Sequence, residues 1–488
     1  MFLSRLAGLH NFLLIWAGQL ISAVGSRLSS FALGIWVLRT TGSTTNFAMT
    51  FVAMTIPGLV VSTVAGALVD RWDRRQTMIS CDVLSAATML LIAGLGATGH
   101  LSIWHIYFAV GAASLFDAFR APAFAASIPL LAPRDQLPRV NGMAQTGIAV
   151  AEIIGPLVAG ALVSLISLQG IMTVDALTFG VGVATLAAAR IPRPLPAARQ
   201  HRAGLLREAV IGWRYVQERP GLIGLLSIYG SNKFLFSIAC VVVAPLLLSF
   251  STPARLGMQY AISGCGLLLG GIAITAWGGP RKRIRGVLAF SLLGGVCMAA
   301  HGLRPSFALT AVAGFVLFLM LPVISSSNNS IWQAKVPAGL QGRCFAIQRL
   351  VFNASTVLGF CLAGPLSKYV FQPLLANGGA LAGSVGLILG VGPGRGLGLM
   401  FIALGTSMSL VAMAAYSLPV IRNIDEMPDA FSLPVEAATP LAPLSAEVAA
   451  SPLAPTPVPA LSAEVAAVER PVFALPQDIL PYAEQEII

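Results

Sequence analysis

The sequence predicts an all-α integral membrane protein with twelve transmembrane helices in two six-helix, pseudo-symmetric halves. Three observations predict this fold: an apolar composition, apolar runs of roughly twenty residues, and a pattern that occurs twice. Of the 488 residues, 56% are hydrophobic and 10% are charged, and the mean hydropathy is +0.82. A water-soluble domain of this composition would aggregate, so we expect lipid to be the surrounding solvent. The runs lack two-residue alternation, so we expect helices and not a barrel.

Twelve apolar runs are long enough to cross a bilayer as helices. They are Phe12 to Leu38, Asn46 to Leu68, Met78 to Ala97, Ile103 to Ile128, Met143 to Ile166, Ile171 to Ala188, Leu222 to Phe250, Leu256 to Trp277, Val287 to Leu303, Phe307 to Ile331, Cys344 to Tyr369 and Leu397 to Tyr416. The first run is too long for a signal-peptide core, so we expect it to be retained. The Gly-rich stretch from Phe371 to Arg395 fits either a long outer loop or a partial re-entrant segment.

Basic residues predict the orientation of the chain, because Lys and Arg favour cytoplasmic segments. Segments on the amino-terminal side of the membrane hold 22 lysines and arginines, and segments on the other side hold 5. We therefore expect a multi-pass protein of the cell membrane, with both termini in the cytoplasm.

A repeated pattern divides the chain into two related halves. Five residues recur 204 positions later in the same order: Pro133, Arg139, Gly155, Ala159 and Gly160 as Pro337, Arg343, Gly359, Ala363 and Gly364. Parallel six-helix repeats are typical of transporters with a site near the midplane. We predict an amino-terminal half at 1–189, a cytoplasmic amphipathic linker at 190–221, a carboxy-terminal half at 222–422, and a disordered Pro- and Ala-rich cytoplasmic tail at 423–488.

Ionisable residues inside the predicted spans are candidates for function, because lipid makes unpaired charges costly. They are Arg27, Asp82, Asp117, Arg120, Glu152, Asp175 and Lys233. Asp117 and Arg120 lie three residues apart on one helical face, so they form either a structural ion pair or a proton-coupling pair. Glu152 is isolated within its helix and is a second proton-coupling candidate, unless a basic residue of a neighbouring helix pairs with it. We expect Asp175 to anchor the outer end of its helix.

The second half contains no acidic residue between Glu218 and Asp425. Any carboxylate that carries protons must therefore belong to the first half. Polar residues that could line a substrate cavity are Gln19, Arg27, Asn232, Lys233, Asn328, Asn329 and Gln348. The amides among them serve interhelical packing equally well.

A glycine and a run of charges follow the second predicted helix. The residues are Gly66, Asp70, Arg71, Asp73, Arg74 and Arg75. This segment resembles the signature loop of the major facilitator superfamily, and Asp73 in place of the usual glycine resembles the branch of macrolide and enterobactin exporters. The resemblance covers roughly Asn11 to Asp429 and implies that the loop forms an inner gate. Its counterpart in the second half, Gly271 to Arg283, lacks the acidic residue, so we expect a weaker gate there.

The fifth predicted helix resembles the antiporter motif of the same superfamily. The matching residues are Gly142, Gly155, Pro156 and Gly160, with alanine at two of the glycine positions, Ala151 and Ala159. Small residues with one proline allow a close, bent helix contact. The element from Gly392 to Gly396 is similar to exporters associated with peptide natural products. These resemblances favour export over uptake.

The leading hypothesis is secondary active, proton-coupled export of a hydrophobic or amphipathic small molecule, such as a drug, secondary metabolite or siderophore, by alternating access. The alternatives are an uptake permease for an organic acid or sugar and a non-transporting membrane sensor or scaffold. We expect no enzymatic activity, cofactor or metal, because HExxH, GxSxG and CxxC motifs are lacking. We expect a monomer that interacts with its substrate, protons and the lipid bilayer, and not with nucleic acid.

Overall fold

The computed structural model describes residues 9–69, 72–133, 136–189 and 212–427. Within these ranges, twelve long helices follow one another along the chain. They are α1 (His10–Thr41), α2 (Thr44–Val69), α3 (Arg74–Ala97), α4 (Ile103–Leu131), α5 (Leu137–Leu162), α6 (Leu168–Ala188), α7 (Pro220–Leu248), α8 (Pro253–Trp277), α9 (Arg283–Leu303), α10 (Phe307–Lys335), α11 (Ala338–Pro365) and α12 (Arg395–Ser417). The shortest has 21 residues and the longest 32, which is enough to cross a bilayer.

Short polar side chains begin several of these helices. The side chains of Asp73, Ser167, Thr252 and Ser306 each accept a hydrogen bond from a backbone N–H of the first turn of α3, α6, α8 and α10. Such caps satisfy backbone donors that the helix itself leaves unpaired. The tight connection between α1 and α2 uses Gly42 in the left-handed conformation, with φ of 61°. Short connections of this kind make successive helices antiparallel.

The helices pack as two bundles of six with matching neighbours. In the first bundle, α1 packs on α5 and α6, α2 on α4, and α3 on α4 and α6. The second bundle repeats these pairings with α7 on α11 and α12, α8 on α10, and α9 on α10 and α12. Between the bundles the main contacts join α5 to α8 and α2 to α11. The predicted architecture of two pseudo-symmetric halves is confirmed.

The repeated glycines mediate equivalent contacts within each half. A Cβ added to Gly155 would lie 2.3 Å from Cβ of Arg27, where α5 crosses α1. A Cβ on Gly359 would lie 2.7 Å from the carbonyl oxygen of Phe234, where α11 crosses α7. Only glycine permits these close approaches between helices. The repeated glycines therefore lie at the same helix crossing in each half.

The second pair of repeated glycines joins the two halves. Gly160 of α5 faces Gly257 of α8, and a Cβ on Gly160 would lie 3.0 Å from the Cα of Gly257. In the equivalent place, a Cβ on Gly364 of α11 would lie 2.5 Å from the Cα of Thr45 in α2. The two halves therefore meet through two symmetry-related pairs of helices.

One end of the bundle is closed across both halves. We call the end where α1 begins the proximal end and the other the distal end. Near the distal end, Phe31 packs edge-on against Tyr260 of the other half at 5.9 Å between ring centroids. Phe51 and Phe360 form a second pair across the halves at 5.3 Å. One buried hydrophobic cluster contains residues of both halves at this depth.

The proximal end has a different arrangement. The buried cluster around Phe12, Met78 and Leu186 contains only first-half residues. The cluster around Leu222 and Trp332 contains only residues that follow the first half. Among the described residues no hydrophobic cluster joins the halves at this end, so the hydrophobic contacts between the halves lie toward the distal end.

The chain between α11 and α12 folds into a compact distal loop. A π-helical turn, Leu366–Phe371, extends α11 beyond Pro365, and the short helices Gln372–Leu374 and Val385–Leu389 follow. The loop closes on itself where the N–H of Gly392 donates to the carbonyl oxygen of Leu375 at 3.0 Å. Of the two alternatives for this stretch, the loop describes it better than a re-entrant helix.

Two smaller segments pack on the second half at the proximal end. A helical turn at 212–217, the last part of the predicted linker, buries Val216 among second-half residues. After α12, the short helices Pro419–Arg422 and Ile424–Glu426 follow, and the described residues end at 427. Residues 190–211 of the predicted linker and 428–488 of the predicted tail lie outside the described ranges.

The glycine contact between α5 and α8 yields a test of packing. Alanine at Gly257 would place its Cβ 2.3 Å from the carbonyl oxygen of Pro156, whereas Gly271 of the same helix has open space. We expect Gly257→Ala to lower the thermal unfolding midpoint in detergent, by an equivalent of about 1–3 kcal/mol. Gly271→Ala should leave the midpoint nearly unchanged. Equal midpoints for the two variants would contradict the close contact of the halves.

Candidate functional site: a charged network in the first half

A buried carboxylate organises the polar centre of the first half. The side chain of Asp82 on α3 is fully buried, and its Oδ2 accepts a hydrogen bond from Nε2 of Gln19 on α1 at 2.9 Å. Its Oδ1 lies 3.3 Å from Nη1 of Arg120 on α4. The same guanidinium donates through Nη2 to Oδ1 of Asp117 at 2.9 Å. Two carboxylates thus share one guanidinium.

This sharing gives the network two charge states. With both carboxylates ionised the sum of the three charges is negative, and one bound proton brings it to zero. Asp82 is fully buried, while the side chain of Asp117 is 60% exposed. Arg120, only 16% exposed, connects the two. The network therefore links a site that solvent reaches to one that it does not.

The sequence revealed only part of this network. The spacing of Asp117 and Arg120 predicted their pairing, and the structure places them together. Asp82 was recognised as an ionisable residue inside a span, but its partners were missed. Its contacts cross from α3 to α1 and α4, and residue spacing within one helix does not reveal contacts between helices.

The sequence around Glu152 suggests an isolated carboxylate. The structure shows instead that Glu152 is paired. Its Oε1 lies 2.6 Å from Nη2 of Arg27, and both side chains are about two-fifths exposed, at 41% and 43%. The pair lies one helical turn from Gly155, whose missing side chain lets α5 approach α1. An ion pair with this exposure in the middle of two spanning helices is expected to face a water-filled cleft. The alternative of a pairing between neighbouring helices therefore holds.

Asp175 is not an end anchor. Ser167 caps α6, while Asp175 lies two turns further along the helix and is buried. Its Oδ1 accepts a hydrogen bond from Oγ1 of Thr178 at 3.2 Å. A Cβ on Gly25 of α1 would lie 2.6 Å from the same oxygen, so the carboxylate sits at the contact of α6 with α1.

The second half has a neutral counterpart of the buried network. Nδ2 of Asn232 on α7 donates to Oγ of Ser291 on α9 at 2.9 Å. This bond joins α7 to α9 just as the bond from Gln19 to Asp82 joins α1 to α3. The pseudo-symmetric positions are polar in both halves, and only the first half uses a carboxylate.

The remaining cavity candidates differ in exposure. Asn328 and Gln348 are buried, and neither the Asn328 amide nor Nε2 of Gln348 has a hydrogen-bond partner. Asn329 is exposed. Lys233 is half-buried on α7, with Nζ 5.6 Å from the ring centroid of Tyr229.

The signature-like loop binds the ends of helices in its own half. Asp73 caps α3, and Nη1 of Arg74 donates to the carbonyl oxygen of Ala126 near the end of α4 at 2.7 Å. Arg75 donates to the carbonyl oxygens of Leu186 and Ala187 at the end of α6. Cations at helix carboxyl ends offset unpaired carbonyls and the helix dipole.

Part of the loop lies outside the described residues, namely Asp70 and Arg71, and Gly66 is described only as part of α2. In the antiporter-like motif, Gly155, Pro156 and Gly160 form the contacts of α5 with α1 and α8, while Gly142 has open space around it.

The second half makes equivalent contacts at its helix ends, but one of the contributing residues comes from a distant part of the chain. Nη1 of Arg283 donates to the carbonyl oxygen of Ser330 at 3.2 Å, as Nη1 of Arg74 does to that of Ala126 in the first half. The cap of α9 comes from Asp425, whose Oδ2 accepts from the N–H of Ile284 at 3.1 Å. The acidic residue missing from the second loop is thus supplied by the segment after α12. Sequence comparison of the two loops did not reveal it.

Metal chemistry has no support in the described ranges, where no group of three or more His, Cys, Asp or Glu side chains could hold an ion. The cysteines there are free.

Comparisons with known proteins agree with this architecture. Residues 15–360 match the family model described as Major Facilitator Superfamily. Macrolide efflux protein A of Streptococcus pyogenes is 26% identical over 357 residues, covering 72% of this chain and 88% of the relative. The multidrug efflux pump Tap of Mycolicibacterium fortuitum is 24% identical over 429 residues, covering 85% of this chain and 97% of the relative.

Two solved structures share the fold. A bacterial homolog of the human lysosomal transporter Spinster, inward-facing and unoccupied, has a TM-score of 0.64 at 14% identity, covering 86% of this chain and 97% of its own. The nucleoside transporter NupG has a TM-score of 0.62 at 14% identity, covering 83% and 99%.

The chain belongs to the major facilitator superfamily. It is a multi-pass membrane transporter for small molecules, a class that is not enzymatic. The resemblance seen in the signature loop is confirmed.

The cap of α9 can be tested with a matched pair of variants. Asp425→Ala removes the acceptor for the N–H of Ile284 and should lower stability by about 1 kcal/mol. Glu426→Ala breaks an exposed 3.3 Å ion pair with Lys282, which contributes little. We expect the first variant alone to lower the thermal unfolding midpoint. A larger loss for Glu426→Ala would show that the cap is not the stabilising contact.

Proposed function

We propose that this transporter is a proton-driven exporter of a hydrophobic or amphipathic small molecule, working by alternating access between its two halves. The observation that supports this best is the guanidinium of Arg120, shared by Asp82 and Asp117 in the first half. The second half has no carboxylate between Glu218 and Asp425. Proton binding therefore belongs to the first half in this proposal.

The charge distribution supports the direction of opening. The sequence segments on the amino-terminal side of the predicted spans hold 22 basic residues against 5 on the other side, so we assign the proximal end to the cytoplasm of the cell membrane, with both termini there. On that assignment the structure is inward-facing, open to the cytoplasm and closed outside by the aromatic pairs. The inward-facing structural relative supports the same assignment.

Proton coupling follows from the two charge states of the network. A proton on Asp82 or Asp117 neutralises the network and loosens one of the contacts that hold α3 and α4 to Arg120. Asp117, which is exposed, accepts the proton from solvent. Glu152 is also exposed. When it binds a proton it loses its ion pair with Arg27, and the loss of this pair weakens the link between α1 and α5. A network without net charge allows the transporter to pass between its inward-open and outward-open states more easily, because fewer charged groups lose their solvation during the transition.

The signature loop acts as the inner gate. In the present arrangement Arg74 and Arg75 hold the ends of α4 and α6. We propose that Asp70, Arg71, Arg74 and Arg75 meet the second half when the proximal end closes. Residues 1–189 and 222–422 then move as the two rocking halves, joined by the linker at 190–221, and the tail at 423–488 takes no part in transport beyond its ordered start.

The efflux relatives support export as the direction, since one is named for macrolides and the other for multiple drugs. Gln19, Asn232, Asn328, Asn329 and Gln348 are proposed to lie along the substrate path. We propose that a single chain suffices, because each bundle completes its own network.

Coupling is tested by drug uptake into inverted membrane vesicles driven by an inside-acid gradient. We expect Asp82→Asn, Asp117→Asn and Glu152→Gln each to reduce gradient-driven uptake about tenfold or more, because the proton site is lost. The matched control is Ser291→Ala at the neutral position equivalent to Asp82, and it should keep most of the uptake.

Unaltered coupling in all three carboxylate variants would remove this network from the mechanism. A loss in Ser291→Ala equal to that in Asp82→Asn would indicate that polar packing, and not proton binding, is what the site requires.

A further inference from the structure

We infer that the transported molecule carries an anionic group and that Lys233 is its counter-charge in the cleft. This inference rests on the proposed export function and adds the chemical class of the substrate. Its basis is the distribution of charge across the two halves and the unpaired donors on the helices of the second half.

Lys233 lies at the depth of the polar centre. It is 15 residues before the distal end of α7 at Leu248, and Arg27 is 14 residues before the distal end of α1 at Thr41. At about 1.5 Å per residue both lie roughly 20 Å from the distal end. The aromatic residue Phe31, which closes the distal end, is one turn beyond Arg27. Lys233 therefore lies at the same depth as Arg27, close to the level at which Phe31 contacts the other half.

No protein carboxylate within the described ranges is paired with Lys233. Its own half has none between Glu218 and Asp425, which the sequence alone establishes. The cleft-facing carboxylates of the first half, Asp117 and Glu152, are already held by Arg120 and Arg27. A half-buried ammonium among membrane-spanning helices is stabilised by an opposite charge. In this proposal the negative charge that stabilises the Lys233 ammonium is supplied by the bound ligand.

The helices beside α7 hold unpaired hydrogen-bond donors. Nδ2 of Asn328 on α10 and Nε2 of Gln348 on α11 are buried and have no partner. Buried polar groups normally have partners, and donors match the oxygens of a carboxylate, sulfonate or phosphate. With Lys233 they make the interior of the second half rich in donors and free of acidic groups.

An aromatic wall adjoins Lys233. Tyr229 lies one turn toward the proximal end, with its ring centroid 4.4 Å from that of Phe352 on α11. Tyr229 is buried, whereas Phe352 is partly exposed, and its ring suits the flat apolar part of an amphipathic molecule. The preferred ligand is thus an aromatic or polycyclic molecule with one acidic group.

The proposed exit route is lined by positively charged side chains, like the site at Lys233. A distal cleft of about 800 Å³ lies between the halves and is lined by Arg39 of the first half and Lys368 of the second. Ser249, Ser251 and Gln372 add hydrogen-bonding groups, and the lining contains no carboxylate. An anion released from Lys233 would therefore meet cations again at the distal end.

The test compares two dyes with the same xanthene ring and opposite charge, fluorescein and rhodamine 123. Uptake of each into inverted vesicles is measured under an inside-acid gradient for the wild type, Lys233→Gln and Lys233→Arg. We expect fluorescein to be the better substrate of the wild type. Lys233→Gln should reduce fluorescein uptake by about tenfold to a hundredfold, because a hydrogen bond to a charged group is lost, and Lys233→Arg should restore much of it.

Transport of rhodamine 123 alone would overturn the anionic assignment and leave the exporter standing. Equal losses of both dyes in Lys233→Gln, with no rescue by arginine, would also overturn it, because Lys233 would then serve packing or proton transfer. Absence of gradient-driven movement of both dyes in the wild type would count against export and the anionic class together.

Discussion

Lipid around the bundle makes every buried charge costly, and this cost determines how the first half is built. Asp82 is tolerated on α3 because Arg120 and Gln19 reach it from two other helices. Arg120 is tolerated because two carboxylates compensate it. The network therefore fixes how α1, α3 and α4 pack. In the proposed mechanism the same network binds one proton, so that stability and proton coupling depend on the same atoms.

The two halves show how a repeated unit can diverge in chemistry while its contacts are kept. Gly155 and Gly359 mediate the same crossing, and Arg74 and Arg283 bind equivalent carbonyls. At the position of Asp82, however, the second half has Ser291. In the proposed mechanism the first half binds protons and the acid-free second half binds the substrate. Rocking about the shared contacts of α5 with α8 and α2 with α11 would connect the two tasks.

Much of the fold could be predicted from the sequence, because apolar runs, their number and the 204-residue repeat depend only on local composition and spacing. The pairing of Asp117 with Arg120 could be predicted for the same reason, since one helix fixes their geometry. The partners of Asp82 and Glu152 could not, because they lie on other helices and the sequence carries no interhelical register. The cap supplied by Asp425 was missed because it comes from 141 positions along the chain.

Proton binding by the network of Asp82, Arg120 and Asp117 is proposed to change the balance between the proximally open and proximally closed states. The decisive measurement is the distance between spin labels at Gln76 on α3 and Arg285 on α9, by double electron–electron resonance, at neutral and acidic pH. Both positions are exposed at the proximal end. We expect the distribution of distances to shift between the two pH values, and the shift to be lost when Asp82→Asn and Asp117→Asn are combined. A distribution that is independent of pH in the wild type, or that still shifts in the double variant, would show that the network does not control the conformational change.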